Sequence, residues 1–351
     1  MKLSDHQKQA LHKIVVGLRD KELKEQTLGG FAGTGKTTLI KYLTQFYPSF
    51  GVCAYTGKAA NVLRKKGMSA STIHSRIYEP KFYNGQIHFE LTMTPGCDGF
   101  IVDEASMVSQ EIYDDLKCFD LPIVFVGDHG QLEPVDSNFN LMANPMYTLE
   151  EIHRNAGTIA RFAEHIRKGL SARGFKDTSG KVEFLGQKQV TDELLTEVDQ
   201  VICAYNATRV NINTRIRNIL GYEGIINIGE RVMCLRNNKE IGLFNGMQGT
   251  VVALYKNNRG RQLLDFEFDG TIITAIPLDM KQFGQEKYNI KHGKNTLNPF
   301  DYAPCITCHK AQGDEFNSLL VLEQKCKNWS HRRWSYTAAS RAKEKLYWKL
   351  G

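Results

Sequence analysis

The sequence predicts an α/β fold in which parallel sheets carry helices, with a smaller β module towards the C-terminal end. Short apolar runs such as 52–55, 123–126 and 201–204 alternate with helical patterns, as they do in a parallel sheet, and the last stretch of the chain predicts a helix near residues 335–345. Between residues 229 and 303 the runs become strand-like and are separated by Gly, Asn and Asp turns, which predicts a small antiparallel β module. The 351 residues are enough for about two domains with cores of their own.

Composition and charge indicate a globular protein with a moderate positive charge. Apolar residues make up 42% of the chain, charged residues 24%, and the formal net charge is +7. This balance permits attraction to nucleic acid without requiring it. The first residues are too polar for a signal peptide, and no apolar run is long enough to span a membrane. The eight cysteines lie in apolar surroundings typical of reduced thiols, so we expect a cytoplasmic protein without a membrane partner.

A glycine-rich string at residues 30–37, Gly-Phe-Ala-Gly-Thr-Gly-Lys-Thr, fits the P-loop pattern. In such a loop the backbone N–H groups surround phosphates, the lysine reaches the β- and γ-phosphates, and the hydroxyl binds Mg²⁺. Apolar residues at helical spacing follow the string, whereas residues 25–28 before it form a poor strand pattern. The string predicts a nucleotide site with Lys36 and Thr37 at its centre.

Two acids follow the strand-like run 100–102. Asp103 is suited to holding the metal ion, and Glu104 beside it could orient a water molecule. Together with the P-loop, this pair predicts an enzyme that hydrolyses a nucleoside triphosphate.

An insertion at residues 76–99 has a pattern of its own. Aromatic residues flank an Asn-Gly pair, which is the strongest short-range signal for a β-hairpin. The hairpin is either a surface feature without function or, because aromatic rings stack on bases, a wedge beside a nucleic-acid track. Phe82, Tyr83 and Phe89 are the candidate wedge residues.

Further strings extend the pattern over nearly the whole chain. In chain order they are Gln7, the P-loop, 55–60 (YTGKAA), 71–74 (STIH), 103–107 (DEASM), 126–135 (VGDHGQLEPV), 152–155 (IHRN), 243–249 (LFNGMQG), 308–313 (CHKAQG) and 336–342 (YTAASRA). This set resembles the superfamily 1 helicases of the RecD/Dda branch.

The resemblance implies two RecA-like lobes with ATP bound between them and single-stranded DNA crossing both. On this pattern we expect the first ATPase lobe at residues 1–145, with the hairpin 76–99 inserted in it. The second lobe would comprise residues 146–228 and 304–351, and the β module 229–303 would be inserted in that lobe as a barrel-like unit.

The resemblance also implies roles at the ATP site. Lys36 would neutralise the β- and γ-phosphates, Thr37 and Asp103 would hold Mg²⁺, and Glu104 would polarise the attacking water. The remaining catalytic candidates would sense or neutralise the γ-phosphate: Gln131 as sensor, and Arg154 and Arg341 as arginine fingers. The other nucleotide contacts would be Gln7 at the adenine edge, Gly33, Thr34, Gly35 and Thr38 at the phosphates, and Gly313 and Glu315 near the ribose, with Asp314 as the alternative to Glu315.

The DNA contacts implied by the resemblance are mostly polar and uncharged. They are Thr56, Lys58, Ser71, Thr72, His74, Asn245, Thr307 and His309. Hydroxyl, amide and imidazole groups suit a track that grips and releases phosphates at every step. A purely structural role stays open for His74 and His309.

We therefore expect an ATP- and Mg²⁺-dependent DNA helicase that moves along single strands, acts as a monomer and unwinds tailed duplexes. The resemblance also implies movement in the 5′→3′ direction, a prokaryotic or phage-infected host cell, and replication or recombination proteins as partners. Two alternatives stay open: a translocase subunit of a nuclease or recombination complex that unwinds only with partners, and a nucleotide-switch ATPase that acts on proteins. RNA also stays open as a substrate, because contacts to backbone phosphates do not test for the 2′-OH.

Overall fold

The structure, a computed structural model, describes residues 3–20, 23–83, 86–133, 139–151, 157–238, 241–288, 297–325 and 329–351. The chain divides into two units, residues 1–81 with 88–167 and residues 82–87 with 168–351. None of the described helices combines the length and apolar character needed to cross a membrane.

The first unit is built on a six-stranded parallel sheet. The six strands of this sheet are β1 (Glu25–Gly30), β2 (Gly51–Ala54), β3 (Ala70–Thr72), β6 (Phe100–Asp103), β7 (Ile123–Gly127) and β8 (Tyr147–Leu149), and between β3 and β6 the chain forms two further strands, β4 (Tyr78–Tyr83) and β5 (Gln86–Leu91). The sheet has the order β3-β2-β6-β7-β1-β8, while β4 and β5 pair separately as the predicted hairpin. Because the carboxyl ends of parallel strands meet at one edge, the loops after β1, β6 and β7 meet there.

Helices cover this sheet through apolar faces. They are α1 (Asp5–Arg19), α2 (Lys36–Phe46), α3 (Gly57–Lys65), α4 (Ile73–Ile77), α5 (Gln110–Lys117) and α6 (Thr158–Arg167). Leu39, Ile40 and Leu43 of α2 are fully buried and pack with Ile14 of α1 in one core cluster. Burial of each such side chain contributes about 1.5–3 kcal/mol, which fixes the helix that begins at the P-loop.

The second unit contains a parallel sheet and a closed barrel. The strands are β9 (Val182–Leu185), β10 (Gln200–Cys203), β11 (Arg231–Cys234), β12 (Gln248–Lys256), β13 (Gln262–Phe268), β14 (Thr271–Asp279), β15 (Asn298–Tyr302), β16 (Cys305–Thr307), β17 (Phe316–Leu322) and β18 (Ala342–Lys349). The parallel sheet has the order β16-β10-β17-β18-β9, and β11 to β15 close the barrel. The helices are α7 (Asp192–Glu197), α8 (Asn206–Ile219) and α9 (His331–Ala339).

These observations confirm the predicted fold class, with three differences in detail. The helix expected near 335–345 ends at Ala339, and 342–349 form a strand because Leu346 and Trp348 are buried at alternate positions between β17 and β9. The barrel closes through a parallel pair, β14 with β15, whereas its other pairs are antiparallel. Strand β8 pairs with β1, so the first sheet extends beyond residue 145, where we had expected the lobe to end.

Candidate nucleotide and nucleic-acid sites

The P-loop connects β1 to α2 in a conformation that depends on glycine. Gly33 and Gly35 have φ angles of 80° and 84°, in the left-handed region that favours glycine. Thr34 is buried, and its hydroxyl donates to the Phe31 carbonyl at 2.8 Å, which closes the loop on itself. The loop ends at the N-terminus of an eleven-residue helix, where unpaired N–H groups and the helix dipole attract anions.

Lys36 lies across this loop beside a buried acid. Its Nζ donates to the carbonyl oxygens of Gly30 at 2.7 Å and Phe31 at 3.1 Å, and it lies 4.0 Å from Oδ2 of Asp128. Asp128 follows β7 directly, is fully buried, and accepts a hydrogen bond from Nε2 of Gln131 at 3.2 Å. A single carboxylate therefore links the P-loop lysine to the predicted γ-phosphate sensor.

Sequence reasoning missed Asp128 as a site residue. The sequence pattern could have identified it, because Asp128 directly follows a buried strand and so lies at the same sheet edge as the P-loop.

The acid pair 103–104 ends β6 in an unusual conformation. Oδ1 of Asp103 accepts a hydrogen bond from the Glu104 amide at 2.9 Å. Burial and the neighbouring Glu104 carboxylate raise the pKa of Asp103 to about 7, against the opposing effect of Lys36. Glu104 has φ 54° and ψ 40°, left-handed backbone that costs a non-glycine residue about 1–3 kcal/mol.

One oxygen of Glu104 is also unsatisfied. Its Oε2 is buried and accepts a hydrogen bond from none of the described residues. A strained backbone and a buried carboxylate oxygen without a partner leave Glu104 able to accept a hydrogen bond from water or a ligand.

The donors at this edge fit a magnesium ion. Burial and the Glu104 carboxylate both disfavour the charged form of Asp103, and a divalent cation would lower its pKa. The described residues contain no group of three or more His, Cys, Asp or Glu side chains that could hold a metal. A magnesium ion would therefore rely on Thr37, Asp103, water and phosphate oxygens, which is the usual ligand set for this ion.

Gln7 is buried against the P-loop and has local partners. Its Nε2 donates to the Thr34 carbonyl at 2.9 Å. Its Oε1 accepts from the Ser4 amide at 3.0 Å, and its own amide donates to the Ser4 hydroxyl at 3.3 Å, which completes a capping box at the start of α1. The structure therefore places Gln7 at the nucleotide loop, where it ties α1 to that loop.

Phe31 of the P-loop contacts an imidazole ring and a guanidinium group. The Phe31 ring lies 4.2 Å from the His129 ring and 3.7 Å from the Arg167 guanidinium carbon. Burial lowers the pKa of His129, with Arg167 and Lys36 acting in the same direction. The loop that carries Asp128 and Gln131 thus also contacts the P-loop through an aromatic pair.

The DNA candidates of the first unit lie at the ends of β2 and β3. These strands pair in parallel with Ala54 opposite Thr72, so the segments 56–58 and 71–74 come together. The Thr56 hydroxyl accepts from the Ala59 amide at 3.1 Å and caps α3, and the Thr72 hydroxyl caps α4. Both hydroxyls therefore have a structural role of their own.

The remaining candidates of this group are partly exposed or in contact with neighbours. Lys58 is partly exposed. The Ser71 hydroxyl accepts from Nε of Arg76 at 3.3 Å, and the His74 ring lies 5.2 Å from the Tyr78 ring.

The DNA candidates of the second unit also lie close together. Thr307 ends β16, and His309 follows two residues later. Asn245 is exposed, and its Oδ1 accepts from Nζ of Lys310 at 3.2 Å. Burial lowers the pKa of both His309 and Lys310, which favours their neutral forms.

The nucleotide candidates of the second unit differ in accessibility. Gly313 has a φ of 82° that favours glycine. Asp314 is buried and accepts from Nε2 of Gln248 at 3.4 Å, whereas Glu315 is exposed and lies 3.2 Å from Lys343. Exposure thus favours Glu315 over Asp314 as a ligand contact.

Arg341 is mostly buried and donates to oxygens of its own unit. Its NH1 donates to the Asp314 carbonyl at 3.3 Å and its NH2 to the Ser340 hydroxyl at 3.0 Å.

Some predicted residues fall outside what the structure describes. Arg154 lies outside the described residues. For the wedge, the described part is the backbone of β4 and β5 and the side chain of Phe89, which is 60% exposed. The side chains of Phe82 and Tyr83 are outside it.

Comparison with known families gives two matches. The AAA domain model matches residues 2–191, more than half of the chain. The model of the UvrD-like helicase C-terminal domain matches residues 302–348.

Individual relatives match over long stretches. The ATP-dependent RecD2 DNA helicase of Deinococcus radiodurans is 28% identical over 91% of this chain and 46% of its own length. The ATP-dependent DNA helicase dda of Enterobacteria phage T4 is 31% identical over 48% of this chain and 43% of its own. The chain thus spans less than half the length of either relative.

Solved structures share the fold over almost the whole chain. Bacteroides Pif1 bound to single-stranded DNA superposes with a TM-score of 0.65 at 21% identity, covering 99% of this chain and 92% of that one. Pif1 helicase from Candida albicans gives a TM-score of 0.62 at 20% identity, covering 100% and 95%.

Proposed function

The chain belongs to the RecD/Pif1/Dda-like group of superfamily 1 helicases, and we propose that it is an ATP-dependent helicase that moves along single-stranded DNA and unwinds duplex DNA. The proposal includes the 5′→3′ direction, single-stranded and tailed duplex DNA as substrates, and action as a monomer in the cytoplasm. Residues up to about 167 supply the ATPase lobe, because β8 and α6 complete its described unit. Residues 168–351 form the second lobe, into which the barrel β11–β15 is inserted.

The observation that carries the proposal is the carboxylate of Glu104. It follows β6, at the sheet edge that also holds the P-loop after β1 and Asp128 after β7. Its buried Oε2 accepts from none of the described residues, and its backbone is strained. Backbone strain of this kind is concentrated at functional sites. A carboxylate at this sheet edge can accept a proton from a water molecule that attacks a phosphate.

The residues of this edge would divide the chemistry as follows. Lys36 would exchange its two carbonyl partners for phosphate oxygens and carry their charge. Glu104 would accept a hydrogen bond from the attacking water and orient it. Magnesium, held through Thr37 and Asp103, would neutralise charge on the phosphates. Gln131 shares Asp128 with Lys36, so a change at the γ-phosphate would reach the loop 128–131 through that carboxylate.

Positive charge on the transferred phosphoryl group would come from Arg154 and Arg341. The P-loop glycines, Thr34 and Thr38 would bind the phosphates, and Gln7 would lie near the base. Gly313 and Glu315 would contact the ribose. The β4–β5 hairpin would separate the strands. The DNA track would be formed by Thr56, Lys58, Ser71, Thr72, His74, Asn245, Thr307 and His309.

The first test is steady-state ATP hydrolysis with and without a single-stranded oligonucleotide at two salt concentrations. We expect strong stimulation by DNA that weakens with salt, because phosphate contacts release counterions. Tailed duplexes with either a 5′ or a 3′ overhang would then report the direction of unwinding. Turnover that is indifferent to nucleic acid would refute the proposal and favour an ATPase that acts on proteins.

Variants locate the chemistry within the site. Lys36→Ala should abolish turnover while strand binding persists, and Glu104→Gln should lower turnover by about 10²–10⁴-fold with ATP binding retained. Lys41→Ala is the matched control, because Lys41 lies on the exposed side of the same helix α2. Equal loss in Lys36→Ala and Lys41→Ala, or full turnover in Lys36→Ala, would contradict the assignment.

A further inference from the structure

Aromatic rings extend the row of predicted DNA contacts in the second unit. The edge of His309 meets the Trp329 indole at a centroid distance of 5.1 Å and an interplanar angle of 77°. The Tyr205 ring lies 6.2 Å from the same indole at 38°. Asn245 and Lys310 are joined by a hydrogen bond at the other end of the row. His309, one of the predicted DNA contacts, therefore touches an aromatic pair, and its neighbour Lys310 touches Asn245.

These rings are accessible in the way that stacking requires. Tyr205 is 39% exposed. Trp329 is partly exposed, and its Nε1 is buried, so the exposed part of the indole is carbon surface. Carbon faces of aromatic rings bind unstacked bases, and each stacked base contributes to affinity whatever its identity.

Hydrogen bonds hold the Tyr205 ring in place. Oε1 of Gln324 accepts from the Ala204 amide at 2.9 Å, and its Nε2 donates to the Thr208 hydroxyl at 2.8 Å. The Tyr205 hydroxyl donates to the Lys325 carbonyl at 2.7 Å. The segment after β17 is thereby fixed to the start of α8, with Tyr205 between them.

The charge around the rings suits a polyanion. From residue 324 to residue 343 the sequence contains no Asp or Glu. Four basic residues among the described residues of this stretch are partly or fully exposed: Lys325, Arg332, Arg333 and Lys343. A strand that stacks bases on Tyr205 and Trp329 would thus place its phosphates near positive charge.

We propose that Tyr205 and Trp329 form a base-stacking platform for single-stranded nucleic acid that continues the track from Asn245 to His309. This inference rests on the proposed function, because it assigns a further part of the same track. The platform would grip bases, whereas Asn245, Thr307 and His309 would contact the sugar–phosphate backbone. A strand would therefore be held by its bases at one end of this surface, independently of its sequence.

Intrinsic fluorescence gives a direct readout. The chain has three tryptophans, and Trp334 and Trp348 are fully buried, so a ligand-induced change should report Trp329. Oligo(dT) should quench the fluorescence of the wild-type protein, and this quenching should disappear in Trp329→Phe. A strand of equal length made of abasic sugar phosphates has the same charge without bases, and it should bind with little quenching.

Affinity, measured by anisotropy of labelled strands, gives the second readout. Tyr205→Ala should weaken oligo(dT) binding by about fivefold or more and leave binding of the abasic strand unchanged. Tyr255→Ala is the matched control, because Tyr255 lies on the barrel and is also 39% exposed. Tyr205→Phe, which keeps the ring, should bind like the wild type and would separate stacking from loss of the hydrogen bond to Lys325.

The outcomes separate this inference from the proposed function. Wild-type protein that binds both strands equally, or quenching that survives in Trp329→Phe, would overturn the platform while leaving the helicase proposal intact. Wild-type protein that binds neither strand would overturn both.

Discussion

Replacing Asp301 by alanine should destabilise the second unit strongly. Asp301 on β15 forms an ion pair with Arg209 on α8, and the two side chains are 0% and 1% exposed. Its Oδ1 accepts from the Gly284 amide at 2.8 Å, and its Oδ2 accepts from the Tyr288 hydroxyl at 3.0 Å. Burial raises the pKa of Tyr288, and the nearby Asp301 carboxylate raises it further. One carboxylate therefore connects the barrel to the helix that follows β10.

The size of the effect follows from what the substitution leaves behind. Without the carboxylate the Arg209 guanidinium remains buried without its counter-charge. Breaking a buried ion pair from one side costs about 3–5 kcal/mol. For a unit of this size that corresponds to a fall in Tm of about 6–20 °C. Replacing both partners by apolar residues, as in Arg209→Met with Asp301→Leu, should cost much less, because no buried charge is left unpaired.

Urea denaturation followed by tryptophan fluorescence would measure the loss, because Trp334 and Trp348 are both buried in the second unit. Asp192→Ala is the matched control. Asp192 pairs with Arg215, also on α8, at 2.5 Å, but these side chains are 53% and 44% exposed, so its loss should cost less than about 1 kcal/mol. Equal and small losses in Asp301→Ala and Asp192→Ala would refute the reasoning.

Two further predictions concern the first unit. Asp128→Ala should lower ATP turnover by about tenfold to a hundredfold, since Lys36 and Gln131 lose a charged partner; wild-type turnover in this variant would contradict the proposed link. Thr56→Val should lower the free energy of unfolding by about 1 kcal/mol through loss of the α3 cap, and Thr56→Ser should restore it. If Thr56→Val weakens DNA binding while leaving stability unchanged, the hydroxyl acts on the strand alone.

The parts of the fold that the sequence predicted are those with a strong local pattern. The buried strand β7 and the helix after the P-loop have continuous apolar runs or clear helical periodicity, and both formed as expected. β1 was harder to predict, because its sequence Glu-Gln-Thr-Leu-Gly-Gly has little strand character. Gln26 is nevertheless fully buried there, with its Nε2 donating to the Ile14 carbonyl at 3.2 Å. Tertiary contacts overrode local propensity in this strand.

The C-terminal strand β18 shows a second limit of the sequence pattern. Its residues Ala-Lys-Glu-Lys-Leu-Tyr-Trp-Lys are good helix formers in the first half, which favoured a helix continuing from α9. The helix instead stops after Ala339, and pairing with β17 and β9 on both sides fixes an extended chain. The partners that decide this lie more than 100 residues away in β9, so no local window contains them.

Gln7 combines a predicted nucleotide contact with a structural role of its own. Resemblance suggests that Gln7 reads the adenine edge, yet both ends of its amide are engaged, with Ser4 and with Thr34 of the P-loop. To hydrogen-bond a base as well, Gln7 would have to use the second lone pair of Oε1 or the second N–H of Nε2, since each can take part in more than one hydrogen bond. Either use would join the base, α1 and the P-loop through one amide. A Gln7→Glu change would therefore affect two contacts together: it would replace the donor to Thr34 by an acceptor facing a carbonyl, and it would alter any contact to the base.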